Sequence, residues 1–144
     1  MYPKTILAFC LFCCYFSNSV FAQTDLTITV TGIEAPAKGQ FFFQLYRTNN
    51  GFPKDPEAAA FHVKVADFGT TATHTFRNVP SGEYAITVMQ DLNDNGEIDT
   101  NFIGMPKEPL GVSNMTKLGK PSFRKSLITL NAPTQEIAIK LLNQ

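Results

Sequence analysis

Between Asp91 and Asn101 the chain runs Asp91-Leu-Asn93-Asp-Asn95-Gly96-Glu97-Ile98-Asp99-Thr-Asn101, with oxygen-bearing side chains at every second position ahead of a glycine. A hard cation such as calcium takes roughly six to eight oxygens around a tight curve, and this spacing can supply them. Asp91, Asn93, Asn95, Glu97 and Asp99 are the candidate metal ligands, Glu97 through its backbone carbonyl, and calcium is the candidate cofactor. Gly96 permits the sharp turn, and Ile98 is placed to return to the core. The likeness to an EF-hand loop stops there. The twelfth position, where a bidentate glutamate belongs, is Phe102, and a strand pattern rather than a helix pattern enters the loop. Such a site carries less charge and belongs with extracellular modules of weak affinity, ~10⁻⁴–10⁻³ M. Turn chemistry alone also accounts for the composition: Asp and Asn bond their own backbone in turns, and Asn95-Gly96 is a favoured hairpin dipeptide.

Other chemistry is sparse. A catalytic centre needs a nucleophile, a base and a group that orients the base. The chain has two histidines and no glycine-rich phosphate loop. His62 shares the outward parity of Lys64, the pattern of a solvated side chain, whereas His74 shares parity with Phe76 and is expected to be partly buried in a structural role. Asp91 and Asp99 could act as a carboxylate pair in a hydrolase or lyase, but nothing in the pattern places them on a cleft. The expectation is a protein that is not an enzyme.

The positioning frame is exported. Met1 to Ala22 reads as a secretory signal: Lys4, an apolar run from Thr5 to Phe16, a polar break at Ser17-Asn-Ser19, and Val20-Phe-Ala22 as a cleavage pattern. The apolar run is short for a permanent span, which needs ~20 residues, so no transmembrane segment is expected after removal of the signal. All 3 cysteines (Cys10, Cys13, Cys14) lie in that segment, leaving residues 23–144 without disulfides or thiolate chemistry. The 144-residue chain balances 12 basic against 12 acidic side chains, which removes the electrostatic footprint of a nucleic-acid binder. Its length suits a single domain over residues 23–144, and the location is periplasmic or extracellular.

Period-two alternation dominates that stretch. Leu26, Ile28 and Val30 share one face of a first strand, and Phe41, Phe43 and Leu45 one face of a second. Phe61, Val63 and Val65 follow, then Thr73 to Val79, then Tyr84, Ile86 and Val88. Leu127 to Leu130 and the set Ile137, Ile139, Leu141 complete the pattern. Seven short strands with turn signals between them predict an all-β, antiparallel β-sandwich of immunoglobulin-like or transthyretin-like type. Asp55-Pro-Glu-Ala-Ala-Ala60 predicts one short helix capped by Asp55. Phe42 and Tyr46, of outward parity, mark either a partner surface or a patch beneath a loop. From Asp91 to Pro121 periodicity fades, and a loop of that length is functional or self-packed. Phe102, Ile103, Met105, Leu110 and Val112 can pack under it as an end cap, while its proline and glycine punctuation equally suits an ordered recognition loop.

Asn78-Val-Pro80-Ser-Gly82-Glu-Tyr84-Ala-Ile resembles the proline–glycine–tyrosine turn of transthyretin-like and carboxypeptidase regulatory-like sandwiches. The resemblance implies a turn leading into a central strand with the tyrosine packed at its start; it says nearly nothing of activity. Transthyretin-like hydrolases carry a histidine–arginine cluster and a distinctive C-terminal motif, both lacking in this sequence. More specifically, residues 25–142 resemble a bacterial family catalogued as domain of unknown function 2141. Gly51-Phe-Pro53, Pro80-Ser-Gly82-Glu-Tyr84-Ala, Asp91-Leu-Asn93-Asp-Asn95-Gly96 and Asp99-Thr-Asn101-Phe-Ile-Gly104-Met-Pro106-Lys-Glu108 carry the resemblance. It continues through Gly111-Val-Ser113-Asn114 and Pro121-Ser-Phe123. The family position that is often histidine is Gln90 here. The resemblance implies export in bacteria and no established reaction. The expected role is a non-catalytic binding or structural module with a protein or glycan ligand in the cell envelope. A carboxylate-based hydrolase or lyase and an accessory subunit of an envelope complex are the alternatives.

Overall fold

Alternation of side chains sets the two faces of each strand, and burial follows it closely. In the computed structural model, which describes residues 22–97, 99–103 and 105–142, strand β1 (Gln23–Thr31) buries Leu26, Ile28 and Val30 completely while Thr27 and Thr29 face outward. The expected export signal lies outside the described residues except for Ala22, and Ile98 also lies outside them. The remaining strands are β2 (Gln40–Tyr46), β3 (Phe61–Val65), β4 (Ala72–Pro80), β5 (Gly82–Asp91), β6 (Leu110–Val112), β7 (Leu127–Leu130) and β8 (Thr134–Lys140).

They form two sheets. One has the order β4-β1-β8 and the other β3-β2-β5-β6, with β7 also paired to β5. Both inner faces contribute to one core, in which Leu26, Ile28 and Val30 join Phe41, Phe43 and Val88. The structure is thus the expected all-β sandwich, with two differences. There are eight strands rather than seven, because Leu110–Val112, inside the long loop, pairs with Thr87–Met89 of β5. The pairing is also not wholly antiparallel: β8 runs parallel to β1 over Asp25–Thr31. That direction follows from the path of the chain, which reaches β8 from β7 in the opposite sheet rather than through a hairpin with β1.

The 10-residue β5 organises the functional end. Its first half pairs with β7 (Gly82–Ala85 with Leu127–Leu130) and its second with β6, so two short strands lie end to end along one edge. The Tyr84 hydroxyl donates to the Pro80 carbonyl at 2.8 Å, locking the turn at the start of this central strand as the proline–glycine–tyrosine motif implies. Unlike a strand with one wet face, β5 is buried on both sides from Tyr84 to Asp91. The second side is covered by a small core of Phe42, Met89, Leu110 and Val112, with Phe52 and Met115 against it. Phe42 and Tyr46 are therefore beneath a covering segment rather than on a partner surface.

The helix expected over Asp55–Ala60 is a single 3₁₀ turn, Pro56–Ala58, with the Asp55 carboxylate accepting from the Glu57 N–H at 3.0 Å. A short α-helix, α1 (Phe123–Ser126), precedes β7 and had no periodic signal. Ser113 and Asn114 tie this region down. The Ser113 hydroxyl lies 2.9 Å from the Ile86 N–H and 2.5 Å from the Ser126 carbonyl, and the Asn114 amide donates to the Leu127 carbonyl at 2.9 Å. Among the described residues no helix is long and apolar enough to cross a membrane.

Candidate cation loop and the adjoining groove

Asp91 closes β5, and its place in the ladder decides where its carboxylate goes. It is opposite Gln40 of β2 and completely buried. Gly39 makes this approach possible. A Cβ there would overlap the Asp91 carbonyl oxygen, and its φ of +68° lies in the left-handed region that favours glycine. The neighbouring Gln90 points the other way. Its amide donates to the carbonyls of Ala35 and Lys38 at 2.8 and 2.9 Å, so this side chain clamps the turn leading to β2.

From Asp91 the chain curls back on itself. Asp91 Oδ2 accepts the Gly96 N–H at 2.8 Å, closing the turn, and the Gln40 amide lies 3.5 Å from the same oxygen. Asn93 Oδ1 accepts the Asn95 N–H at 3.2 Å, and Asn95 Oδ1 accepts the Glu97 N–H at 2.9 Å, successive Asx turns. The Asn93 and Asn95 amides both donate to Asp99 Oδ2, at 2.8 and 3.3 Å. The structure therefore brings Asn93, Asn95 and Asp99 into direct contact and ties Asp91 to the loop through Gly96. Glu97 joins through its backbone N–H rather than its carbonyl, and its side chain is exposed. Among the described residues no three His, Cys, Asp or Glu side chains form a ready metal cluster, so a cation here would draw on carboxamide and main-chain oxygens as well. The Lys64 ammonium lies beside Gly96 and 4.8 Å from the centre of the Phe42 ring.

One acidic side chain was missing from the candidate set. Glu108 is 7% exposed, and its Oε1 accepts the Leu92 N–H at 2.9 Å. Burial pushes its carboxyl above the usual carboxylate range, the Leu92 and Asp99 backbone N–H groups pull it back, and the charges of Asp91 and Asp99 raise it again. Two oxygens in this acidic pair, Asp91 Oδ1 and Glu108 Oε2, are buried with no hydrogen-bond partner.

Beyond the loop, residues 99–103 and 105–107 form a narrow excursion. The Lys107 N–H donates to the Asp99 carbonyl at 2.7 Å, Thr100 bridges Pro106, and Asn101 N–H donates to the Met105 carbonyl at 2.8 Å. Asn101 Oδ1 also accepts the N–H groups of Ile103 and Met105, at 3.1 and 3.0 Å. At the tip Phe102 is 100% and Ile103 70% exposed. Packing beneath the loop therefore holds for Leu110 and Val112, fails for Phe102 and Ile103, and is partial for half-buried Met105. Ile103, Met105, Phe52 and Phe123 line an open groove of about 1290 Å³, together with Lys54, Lys120 and Arg124. Asp55 is its acidic lining residue, and the carboxylates of Asp91, Asp99 and Glu108 do not line it.

The two histidines stand apart from this region. His62 is exposed on β3. His74 is half-buried against Phe76 and Phe43, with ring centres 4.6 and 5.9 Å away, and burial lowers its pKa.

A family model described as "Uncharacterized protein conserved in bacteria (DUF2141)" matches residues 28–138, a span that reaches into every strand of both sheets and includes the loop and the tip. No curated protein and no solved structure matches the chain.

Proposed function

Since the chain belongs to that family of uncharacterised bacterial proteins, we propose that it is an exported, non-catalytic binding module of the bacterial envelope or exterior, with a protein or glycan ligand. The observation that carries this is the apolar tip. Phe102 and Ile103 are presented to solvent by a hydrogen-bonded turn, where an undedicated loop would fold such side chains inward. The groove beside the tip adds apolar walls and a basic lining, a surface suited to an extended ligand bearing negative charge. Loop 91–101 is a calcium site at the base of the tip, stiffening it.

The alternative of a hydrolase or lyase draws on the same carboxylates. Against it, Asp91 is completely buried, and none of the loop carboxylates faces the groove where a substrate would lie. A photo-reactive residue placed at Ile103, compared with one at exposed Glu136 on β8, tests the binding role in envelope preparations. Adducts at 103 and none at 136 are expected. Equal adducts at both positions, or none at either, remove the tip as a binding element. Turnover of a substrate that vanishes with Asp99→Asn while the fold persists would replace the module with an enzyme.

A further inference from the structure

We propose that Glu108 is a calcium ligand which, with the free oxygen of Asp91, completes the site of loop 91–101 from outside the loop; this rests on the loop binding calcium at all. The argument begins with the two partnerless oxygens. Asp91 and Glu108 are each anchored by one carboxylate oxygen to the backbone of the same turn, Asp91 to Gly96 N–H and Glu108 to Leu92 N–H. Each holds its second oxygen buried and without a donor. A buried carboxylate oxygen must find a proton, a water or a cation. Here Asp99 adds a third negative charge near Glu108, and a divalent cation offsets most of the charge of the three carboxylates.

The chain geometry supplies what the loop lacks. Phe102, at the position where a closing glutamate would be expected, is turned fully into solvent. Glu108 returns instead through the Thr100–Pro106 bridge and the Lys107-to-Asp99 hydrogen bond, which bring the far side of the excursion back to the loop. The Asn93 and Asn95 amides donate to Asp99 Oδ2 without supplying any positive charge, which the cation would bring. The proposed donor set is Asp91, Asn93, Asn95, the Glu97 carbonyl, Asp99 and Glu108; its three carboxylates form no ready cluster without the ion and close on it as it binds, and an all-oxygen set is the chemistry of a calcium site rather than of a transition metal.

Calcium is titrated into the chelator-stripped protein by calorimetry, with melting temperature followed in parallel, for wild type, Glu108→Gln and Asp91→Asn. Wild type is expected to bind one calcium and to melt higher with it. Glu108→Gln is expected to bind calcium at least ~10-fold more weakly, since a carboxylate ligand is lost. Should Glu108→Gln fail to fold, as judged by circular dichroism without calcium, Glu108→Asp, which keeps the charge and shortens its reach, carries the test: it is expected to bind calcium more weakly than wild type, and equal binding overturns the role of Glu108. Wild type that neither binds nor shifts refutes calcium binding by the loop, and Glu108 with it. Wild type that binds while Glu108→Gln binds equally well, with Asp91→Asn impaired, leaves the loop site standing and overturns the role of Glu108 alone.

Discussion

A buried polar oxygen without a donor costs about 1–3 kcal/mol, and the base of the 91–101 turn holds two such oxygens, on Asp91 and Glu108. Without calcium, Glu108→Gln therefore has a definite sign. It removes one of three neighbouring charges, keeps an acceptor for the Leu92 N–H and offers an N–H toward the acidic neighbours. Metal-free protein should gain about 1 kcal/mol in urea unfolding with chelator present. With saturating calcium the order should reverse, because only wild type keeps the full ligand set; a variant less stable in both conditions contradicts this account. His74 gives a second residue-level outcome. Its pKa is lowered by burial, so the unfolded chain binds more protons below the ordinary histidine value of about 6.5, and stability is lost as pH falls through that value toward the folded pKa. Glu108 acts oppositely, since its pKa is raised and protonation favours the folded form. The difference between wild type and His74→Phe therefore isolates the histidine: the variant should lose less stability between pH 7 and 5, and parallel profiles would refute the assignment. At this scale the loop donors are readable because calcium and turn chemistry both need oxygens at alternate positions. Glu108 is not, because the contact that matters joins residues 16 apart through a turn that carries no spacing rule.

Strands follow the same logic one level up. Period-two patterns locate β1, β2, β3, β4, β5, β7 and β8, since one face of each meets the common core. β6 escapes because three residues are too few to show alternation, and because it is buried throughout, with Leu110 and Val112 in the outer cluster. Its middle residue shows what sets it in place. A Cβ on Gly111 would come within 2.6 Å of Ile139 Cγ2 on β8 and 2.9 Å of Val88 Cγ2, so glycine is what lets β6 lie against β5 under the opposite sheet. Gly111→Ala should destabilise by about 1–3 kcal/mol through overpacking, measured by denaturant unfolding. A loss below ~0.5 kcal/mol would mean that the sheets part freely at this end. The long loop is thus less a loop than a strand, a tip and a covering layer. That is why Phe42 and Tyr46, outward by parity, are as buried as their inward neighbours.

For the molecule as a whole, the question is how far the effect of one ion travels. The sandwich is joined by ladders that do not pass through the loop: β1 pairs with β4 and β8, far in connectivity from Asp91. The tip is connected differently. Asp99 carries the Lys107 N–H on its carbonyl, Thr100 bridges Pro106, and Asn101 holds Ile103 and Met105, so whatever fixes Asp99 bears on these two lining residues of the groove. Calcium should then slow amide hydrogen exchange at Gly96, Glu97, Ile103, Met105 and Lys107. At a free calcium concentration 100 times the dissociation constant the slowing should reach ~100-fold, where local opening releases the ion. Amides of β1, β4 and β8 that exchange by local fraying should be unchanged, and only those requiring global unfolding should share the protection. Protection confined to 91–97, with Ile103 and Met105 exchanging at their metal-free rates, would separate the ion from the tip and make the loop a local staple. Protection that reaches 107 makes calcium a determinant of the groove, because Ile103 and Met105 line it and are tied to the segment that Asp99 anchors.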